Sequence, residues 1–231
     1  MKRIITYIVL VLLLSQCMST KKMAKKYPSD KITLEIGEES AVYLGINHVD
    51  ILKIKGAEFH HLFVIIILKN PSDLNSNFEE RSRLFYDKNT RSSIDENVVY
   101  FNKQDFEKST FWETTISAAS ECAYDTTTSK MGNLIKVPNF DRIDNNKSGK
   151  RVFVKKIASN DLNIIEQLLE YEKNYDNSLK YALIPEISEN GYNSNSFFRG
   201  ALEYAGLIDF IEVPSCFKSP GLSKSVKIKP Q

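Results

Sequence analysis

The sequence Phe59-His60-His61-Leu62-Phe63-Val64-Ile65-Ile66-Ile67-Leu68 is the most apolar stretch beyond the first 16 residues of this 231-residue chain. Its β-branched residues favour an extended backbone, and an unbroken apolar run is typical of a strand that is buried on both faces. The polar sequence 70–73, which contains a proline, follows it and stops the strand. We therefore predict a buried central strand over 59–68.

Weaker strand patterns flank this central strand. Residues 32–36 alternate between apolar and polar, which is the period of a half-buried strand. The other predicted strands cover 41–46, 83–86, 98–101 and 151–157.

Two segments between the strands are predicted to be helical. The first covers 105–119 and includes the aromatic residues Phe106, Phe111 and Trp112. The second starts from a cap at Ser159 or Asn160 and continues to about Tyr175, because its apolar residues recur at helical spacing. Together with the strands, these helices predict an α+β domain over 31–221, with a central antiparallel sheet packed against helices. We expect 222–231 to be a basic, loosely held tail.

A third helix is predicted for the stretch Tyr192-Asn193-Ser194-Asn195-Ser196-Phe197-Phe198-Arg199-Gly200-Ala201-Leu202-Glu203-Tyr204-Ala205-Gly206-Leu207. Its first polar residues prefer helix starts, because their side-chain oxygens accept hydrogen bonds from the free N–H groups of a first turn. Phe197, Ala201 and Leu202 then fall on one apolar face, and Gly206 supplies the left-handed residue that ends many helices. The N-terminus of this helix presents Ser194 and Asn195.

The sequence Asn193-Ser194-Asn195-Ser196-Phe197 resembles the Asn-Cys-Asn-x-Phe motif of circularly permuted papain-like proteins. That superfamily includes NlpC-type cell-wall peptidases, PPPDE-type peptidases and lecithin–retinol acyltransferase-like proteins. The resemblance implies a permuted papain-like α+β fold, with an early catalytic His on a strand and a late nucleophile at a helix start. His61 takes the place of the catalytic His, and Ser194 stands where the family has Cys.

The serine at 194 leaves two hypotheses open. A serine hydroxyl needs a base within hydrogen-bond reach, so a hydrolase would use Ser194 as nucleophile and His61 as base, with Asn193 and Asn195 lining the cleft. Alternatively, Asn193 and Ser194 only cap the helix, and His61 is a partly buried structural residue. His60 would take the place of the base in a different strand register. No third residue that orients His61 can be named from the sequence.

The first 17 residues predict a lipid anchor. Residues 1–16 have a basic start and a short apolar run, as in a secretory signal, and Leu14-Ser15-Gln16-Cys17 resembles a bacterial lipobox. Gln16 departs from the small residue that is usual there, so an ordinary cleaved signal is the alternative. We expect lipidation, for example with palmitate, at Cys17, a solvated tether over 17–30, and a membrane-anchored place in the bacterial cell envelope, facing the periplasm or the exterior.

Composition excludes some classes of function. Lys and Arg number 31 against 29 Asp and Glu, and the two signs are interspersed, so no nucleic-acid partner is expected. No cofactor is expected, and His60 and His61 would point to opposite faces of a strand, which argues against a shared metal site. Cys122 and Cys216 are either free or joined in a disulfide. Two function classes fit: an envelope amidohydrolase acting on an amide or ester in cell-wall peptide or lipid, and a non-catalytic lipoprotein with a degenerate papain-like groove.

Overall fold

The computed structural model describes residues 32–36, 39–49, 59–68, 83–85, 98–102, 110–124, 131–138, 140–141, 150–213 and 217–228. The strands in chain order are β1 (Ile32–Ile36), β2 (Ala41–Val49), β3 (Phe59–Leu68), β4 (Arg83–Phe85), β5 (Val98–Asn102), β6 (Thr110–Ile116), β7 (Ala118–Ser120), β8 (Leu134–Lys136), β9 (Lys150–Ser159), β10 (Lys180–Tyr181) and β11 (Gly191–Tyr192). The helices are the single turn α1 (Glu121–Tyr124) and the longer α2 (Leu162–Asn174) and α3 (Ser194–Tyr204).

The main sheet has five antiparallel strands in the order β4-β6-β3-β2-β9. Strand β3 lies at its centre and pairs with β2 from Phe59 to Ile67, with Gly45 opposite Phe63. Its pairing with β6 runs only from Val64 to Leu68. The predicted α+β class, with a central antiparallel sheet built around residues 59–68, is confirmed.

Side chains of β2 and β3 alternate between two buried faces of the sheet. The first face joins the hydrophobic core that includes α2 and α3, through Val42, Leu44, Ile46, Leu62, Val64, Ile66 and Leu68. The second face carries Tyr43, Phe63, Ile65 and Ile67, which are also buried. Burial of β3 on both faces explains why its sequence is apolar without alternation.

Helix α3 packs on the first face. Its Phe197, Ala201 and Leu202 are fully buried in the core, as the spacing predicts. Phe197 lies against Tyr171 of α2, with ring centroids 5.1 Å apart. Gly206 has a φ of 68°, so it provides the left-handed residue just beyond the helix.

The helix predicted over 105–119 is wrong for its described part, residues 110–119. Residues 110–116 form β6, which pairs with β3 so that Ile116 lies opposite Val64. The β-branched Thr110, Thr114, Thr115 and Ile116 fit a pleated strand better than a helix. Residues 105–109 lie outside the described residues.

The start of α2 also differs from the prediction. Strand β9 continues to Ser159, and Asn160 adopts a left-handed φ of 54°, so neither residue is the cap. Asp161 is the N-cap instead, and its carboxylate accepts a hydrogen bond from the Ile164 N–H at 3.1 Å.

The prediction of a loosely held tail is wrong for residues 222–228. Val226 is fully buried in the core, its N–H donates to the Ser196 carbonyl, and its own carbonyl accepts from the Tyr171 hydroxyl at 3.0 Å. The apolar residues among the lysines explain this docking, and the tail is held because α2 and α3 offer it partners. We call residues 217–228 the C-terminal strap. The predicted signal, the predicted lipidation site Cys17 and the predicted tether lie outside the described residues. In the described part of the chain no helix is long and apolar enough to span a membrane.

Candidate functional site

His61 projects from the second face of β3. Its ring stacks on Phe63, with centroids 5.8 Å apart and planes 17° apart, and its side chain is 11 % exposed. Phe63 in turn lies over Gly45, where a Cβ would meet its ring at 2.5 Å. The missing side chain at 45 therefore makes room for the aromatic ring that supports His61.

The Nε2 atom of His61 contacts two polar side chains. It lies 2.8 Å from Asp141 Oδ2 and 3.0 Å from Ser117 Oγ. Asp141 is buried, with 1 % of its side chain exposed, and its Oδ1 accepts a hydrogen bond from Asn47 Nδ2 at 2.7 Å. Asn47 lies directly opposite His61 in the pairing of β2 with β3.

The contacts of Nε2 indicate one tautomer of His61 when Asp141 is ionised. An ionised carboxylate only accepts, so the proton between His61 and Asp141 then lies on Nε2 of the neutral ring. The lone pair is then on Nδ1, which is the nitrogen that can accept a proton from another group. The chain Asn47–Asp141–His61 is thus the arrangement that holds a histidine in one tautomer as a general base.

Ser117 does not complete a conventional catalytic triad. In such a triad the nucleophile and the carboxylate contact opposite nitrogens of the histidine. Here Ser117 shares Nε2 with Asp141, and Ser117 is itself buried. Its hydroxyl helps to orient the ring and is poorly placed to attack a substrate.

His60 lies on the other face and has a different role. Its Nδ1 accepts a hydrogen bond from the Lys218 N–H at 3.1 Å, and its ring packs edge-on against Phe217, 4.9 Å away. Burial, aided by the neighbouring His48, lowers the pKa of His60 to about 4. This neutral histidine holds the C-terminal strap, so the structure does not bring His60 to the Asp141 cluster.

The N-terminus of α3 is capped by Asn193. Its Oδ1 accepts hydrogen bonds from the N–H groups of Asn195 and Ser196. The Asn193 N–H donates in return to Ser196 Oγ at 3.4 Å, which completes a capping box. Its Nδ2 donates to the carbonyls of Leu183 and Pro220. Ser194 is the first helical residue and is half-buried.

Asn195 joins this helix end to the strand that carries His61. Its Oδ1 accepts from the Leu62 N–H at 2.9 Å, and its Nδ2 donates to the carbonyls of His60 at 3.1 Å and Pro220 at 3.0 Å. The predicted motif and the predicted histidine therefore meet at the edge of β3. Within the described residues, however, no hydrogen bond joins Ser194 to His61.

No pattern in the sequence points to Asp141 or Ser117. Asp141 is 80 residues from His61 in the chain and begins a polar segment that carries no motif. Asn47 directly follows the strand predicted over 41–46, and pairing that strand with 59–68 would have placed it opposite His61.

No protein-family model, curated protein or solved structure matches the chain. The site must therefore be interpreted from its own chemistry. In the described part of the chain no group of three or more His, Cys, Asp or Glu residues could hold a metal ion. Cys122 is a free, half-buried thiol, and Cys216 lies outside the described residues.

Proposed function

We propose that this chain is a lipid-anchored envelope protein of the permuted papain-like type that hydrolyses an amide or ester in cell-wall peptide or lipid. Ser194 is its nucleophile and His61 its general base. The observation that carries the proposal is the buried Asp141 carboxylate 2.8 Å from His61 Nε2, with Asn47 bound to its other oxygen. A histidine held in this way supports proton transfer at Nδ1.

The reaction follows acyl transfer. Ser194 Oγ attacks the substrate carbonyl carbon while its proton passes to His61 Nδ1. The tetrahedral intermediate then collapses, the leaving amine or alcohol takes that proton, and an acyl-serine remains. Water, activated by His61, hydrolyses this ester and restores the serine. The contact between Ser194 and His61 forms with substrate bound, because catalytic hydrogen bonds commonly tighten in that complex.

The N-terminus of α3 supplies the oxyanion donor. Asn195 N and Ser196 N are committed to Asn193 Oδ1, and Phe197 N is committed to the Asn193 carbonyl. In the described structure this leaves the N–H of Ser194 as the uncommitted donor of the first turn. A nucleophile whose own N–H binds the oxyanion is a recurrent arrangement in acyl transfer.

The test combines two substitutions. Ser194→Cys should react faster with a thiol-directed probe than the half-buried Cys122 of the same molecule, because the helix end and His61 lower the pKa of a nearby thiol. His61→Ala in that background should abolish the gain, and Asp141→Asn should reduce it. Reaction at residue 194 no faster than at Cys122 would refute the catalytic proposal.

The anchor is tested separately. Labelled palmitate should be incorporated into the wild-type chain and lost in Cys17→Ala, because the lipobox-like sequence ends at Cys17. A wild-type chain that remains unlabelled and extracts from the envelope without detergent would refute lipidation.

One observation favours a second candidate, a non-catalytic lipoprotein that uses the same fold for binding or envelope structure. Helix α3 packs on the first face of the sheet, whereas the His61 ring lies on the second, and no hydrogen bond joins Ser194 to His61 among the described residues. In that case wild-type protein would be inert to serine-directed fluorophosphonates, and Ser194→Ala would leave its envelope phenotype unchanged.

A further inference from the structure

Where β6 does not pair with β3, the backbone of β3 forms hydrogen bonds with a side chain of α3 and with the C-terminal strap. Strand β6 pairs with β3 only from Val64 onward, so the edge groups of His60 and Leu62 need other partners. The His60 N–H donates to the Lys218 carbonyl at 2.9 Å. The His60 carbonyl and the Leu62 N–H, which lie on either side of His61, both bind Asn195.

The Asn195 side chain makes the hydrogen bonds to β3 that the backbone of a neighbouring strand would otherwise make. An amide presents one acceptor and one donor side by side, as a peptide group does, and β3 offers the complementary pair. Asn195 is 2 % exposed, so these hydrogen bonds form away from water. The orientation of the amide is fixed, because Nδ2 faces two carbonyls, of His60 and Pro220, and Oδ1 faces an N–H.

We propose that Asn195 is a positioning residue that sets the distance between the N-terminus of α3 and His61. Asn195 directly follows Ser194 in the chain. Because the Asn195 amide is bound to the His60 carbonyl and the Leu62 N–H, the backbone that carries Ser194 is held at a set distance from His61. The Pro220 carbonyl locks the amide, which makes the C-terminal strap part of the same device. The catalytic consequence of this inference rests on the proposed function, whereas its structural part does not.

The structural part is tested by amide hydrogen exchange. In Asn195→Ala the Leu62 N–H should lose its protection, while the Ile66 N–H, in the half of the strand paired by β6, should keep its own. Tyr171→Phe is the matched control, because it removes one hydrogen bond to the strap at Val226 without touching β3. Equal protection of Leu62 in wild type and Asn195→Ala would overturn the inference.

The catalytic part is tested in the Ser194→Cys background. Alkylation by iodoacetamide is followed at residue 194 by peptide mass spectrometry across pH, with Cys122 as internal reference. Adding Asn195→Ala should move the pH midpoint up towards that of an ordinary thiol and slow the reaction at neutral pH by about 10- to 100-fold. The profile should then match that of His61→Ala, whereas Tyr171→Phe should leave it unchanged.

The outcomes separate the two proposals. If Ser194→Cys is no more reactive than Cys122, the proposed function fails, and the exchange experiment alone decides the structural part. If Ser194→Cys is reactive and Asn195→Ala lowers only the melting temperature, with the pH profile unchanged, the positioning role is refuted and the proposed function stands. Should Asn195→Ala fail to fold, Asn195→Ser replaces it. Serine suits a helix start, but its single hydroxyl oxygen cannot supply a donor and an acceptor on two separate atoms.

Discussion

The two halves of strand β3 obtain their hydrogen bonds from different sources. From Val64 to Leu68 the strand is apolar, and from Val64 to Ile67 it pairs with neighbouring strands on both edges. From Phe59 to Phe63 only the edge towards β2 is paired by a strand, and the other edge is completed by Asn195 and Lys218. The two halves therefore differ in what they carry: the regular half contributes only apolar side chains, whereas the irregular half adds to its buried Leu62 and Phe63 a histidine with polar partners.

The difference shows why a polar site can exist beside so apolar a core. A third strand opposite residues 60–62 would leave no room for the end of α3. Because β6 stops its pairing at Val64, the edge beyond it accepts a helix terminus and the strap.

The largest effect is expected in the regular half. Ile66→Ala should destabilise the domain by about 2–5 kcal/mol, because Ile66 is fully buried in the core and its loss leaves a cavity. Ile187→Ala is the control, since Ile187 is 67 % exposed and should change stability by no more than about 0.5 kcal/mol. Urea unfolding measures both. Similar values for the two variants would contradict the burial of the regular half in the core.

The irregular half should make stability depend on pH. The pKa of His60 falls from 6.5 to about 4 on folding, so between these pH values the unfolded chain is protonated at His60 and the folded chain is not. Neutral His60 therefore makes its full contribution to the free energy of unfolding above pH 6.5, and the contribution is lost as the pH falls towards 4. At about 1.4 kcal/mol per pKa unit, this contribution is about 1–3 kcal/mol after solvent screening.

His60→Gln isolates this contribution, because glutamine does not titrate. The difference in unfolding free energy between wild type and His60→Gln should shrink steadily from pH 6.5 to pH 4, as chemical denaturation at each pH will show. A difference that stays constant over this interval would mean that His60 titrates normally in the folded protein.

Because of the strap, a substitution that usually stabilises a helix should destabilise this domain. Gly200→Ala would normally stabilise α3, but here a Cβ would meet the Val226 carbonyl and the Tyr171 hydroxyl. We expect a loss of about 1–3 kcal/mol from overpacking. The loss should be smaller when Tyr171→Phe is also present, as a double-mutant cycle of thermal unfolding can measure. A stabilised Gly200→Ala protein would show that the strap is not packed on α3.

The smallest effect concerns the two helix caps. Asn193→Ala should cost about 1–2 kcal/mol and should exceed Asp161→Ala, because Asn193 caps α3 and also donates to Leu183 and Pro220. Asp161 caps α2 with one hydrogen bond to Ile164. Denaturant unfolding of the pair compares them directly, and a larger loss in Asp161→Ala would contradict the ranking.

The sequence predicts those elements whose causes are local. The bounds of β3 follow from its own apolar residues, and the start of α3 follows from Asn193 and the polar residues after it. The strand over 110–116 was missed because its two large aromatic residues, Phe111 and Trp112, suit a helix or a strand. What decides the matter is the pairing of this segment with β3, which is far away in the chain.

The partners of His61 could not be predicted for the same reason. The hydrogen bonds to Asp141 and Ser117 span 80 and 56 residues, and the short sequence around either residue does not distinguish it from a surface residue. The fit of Val226 between α2 and α3 depends likewise on two helices that the strap does not contain. Composition alone made this segment look like a solvated tail.

The position of the strap in the chain has a consequence for biogenesis. The Lys218 N–H donates to His60 across 158 residues of sequence. The irregular half of β3 therefore cannot complete its hydrogen bonds until the last part of the chain has been synthesised. During synthesis and any export that follows, the apolar half can pair while the candidate site still lacks Pro220 and the rest of its frame. Such long-range closure is slow. A chain released before residue 217 would therefore collapse around its core and yet lack the strap contacts to Asn193, Asn195 and His60, which ties completion of the site to completion of the polypeptide.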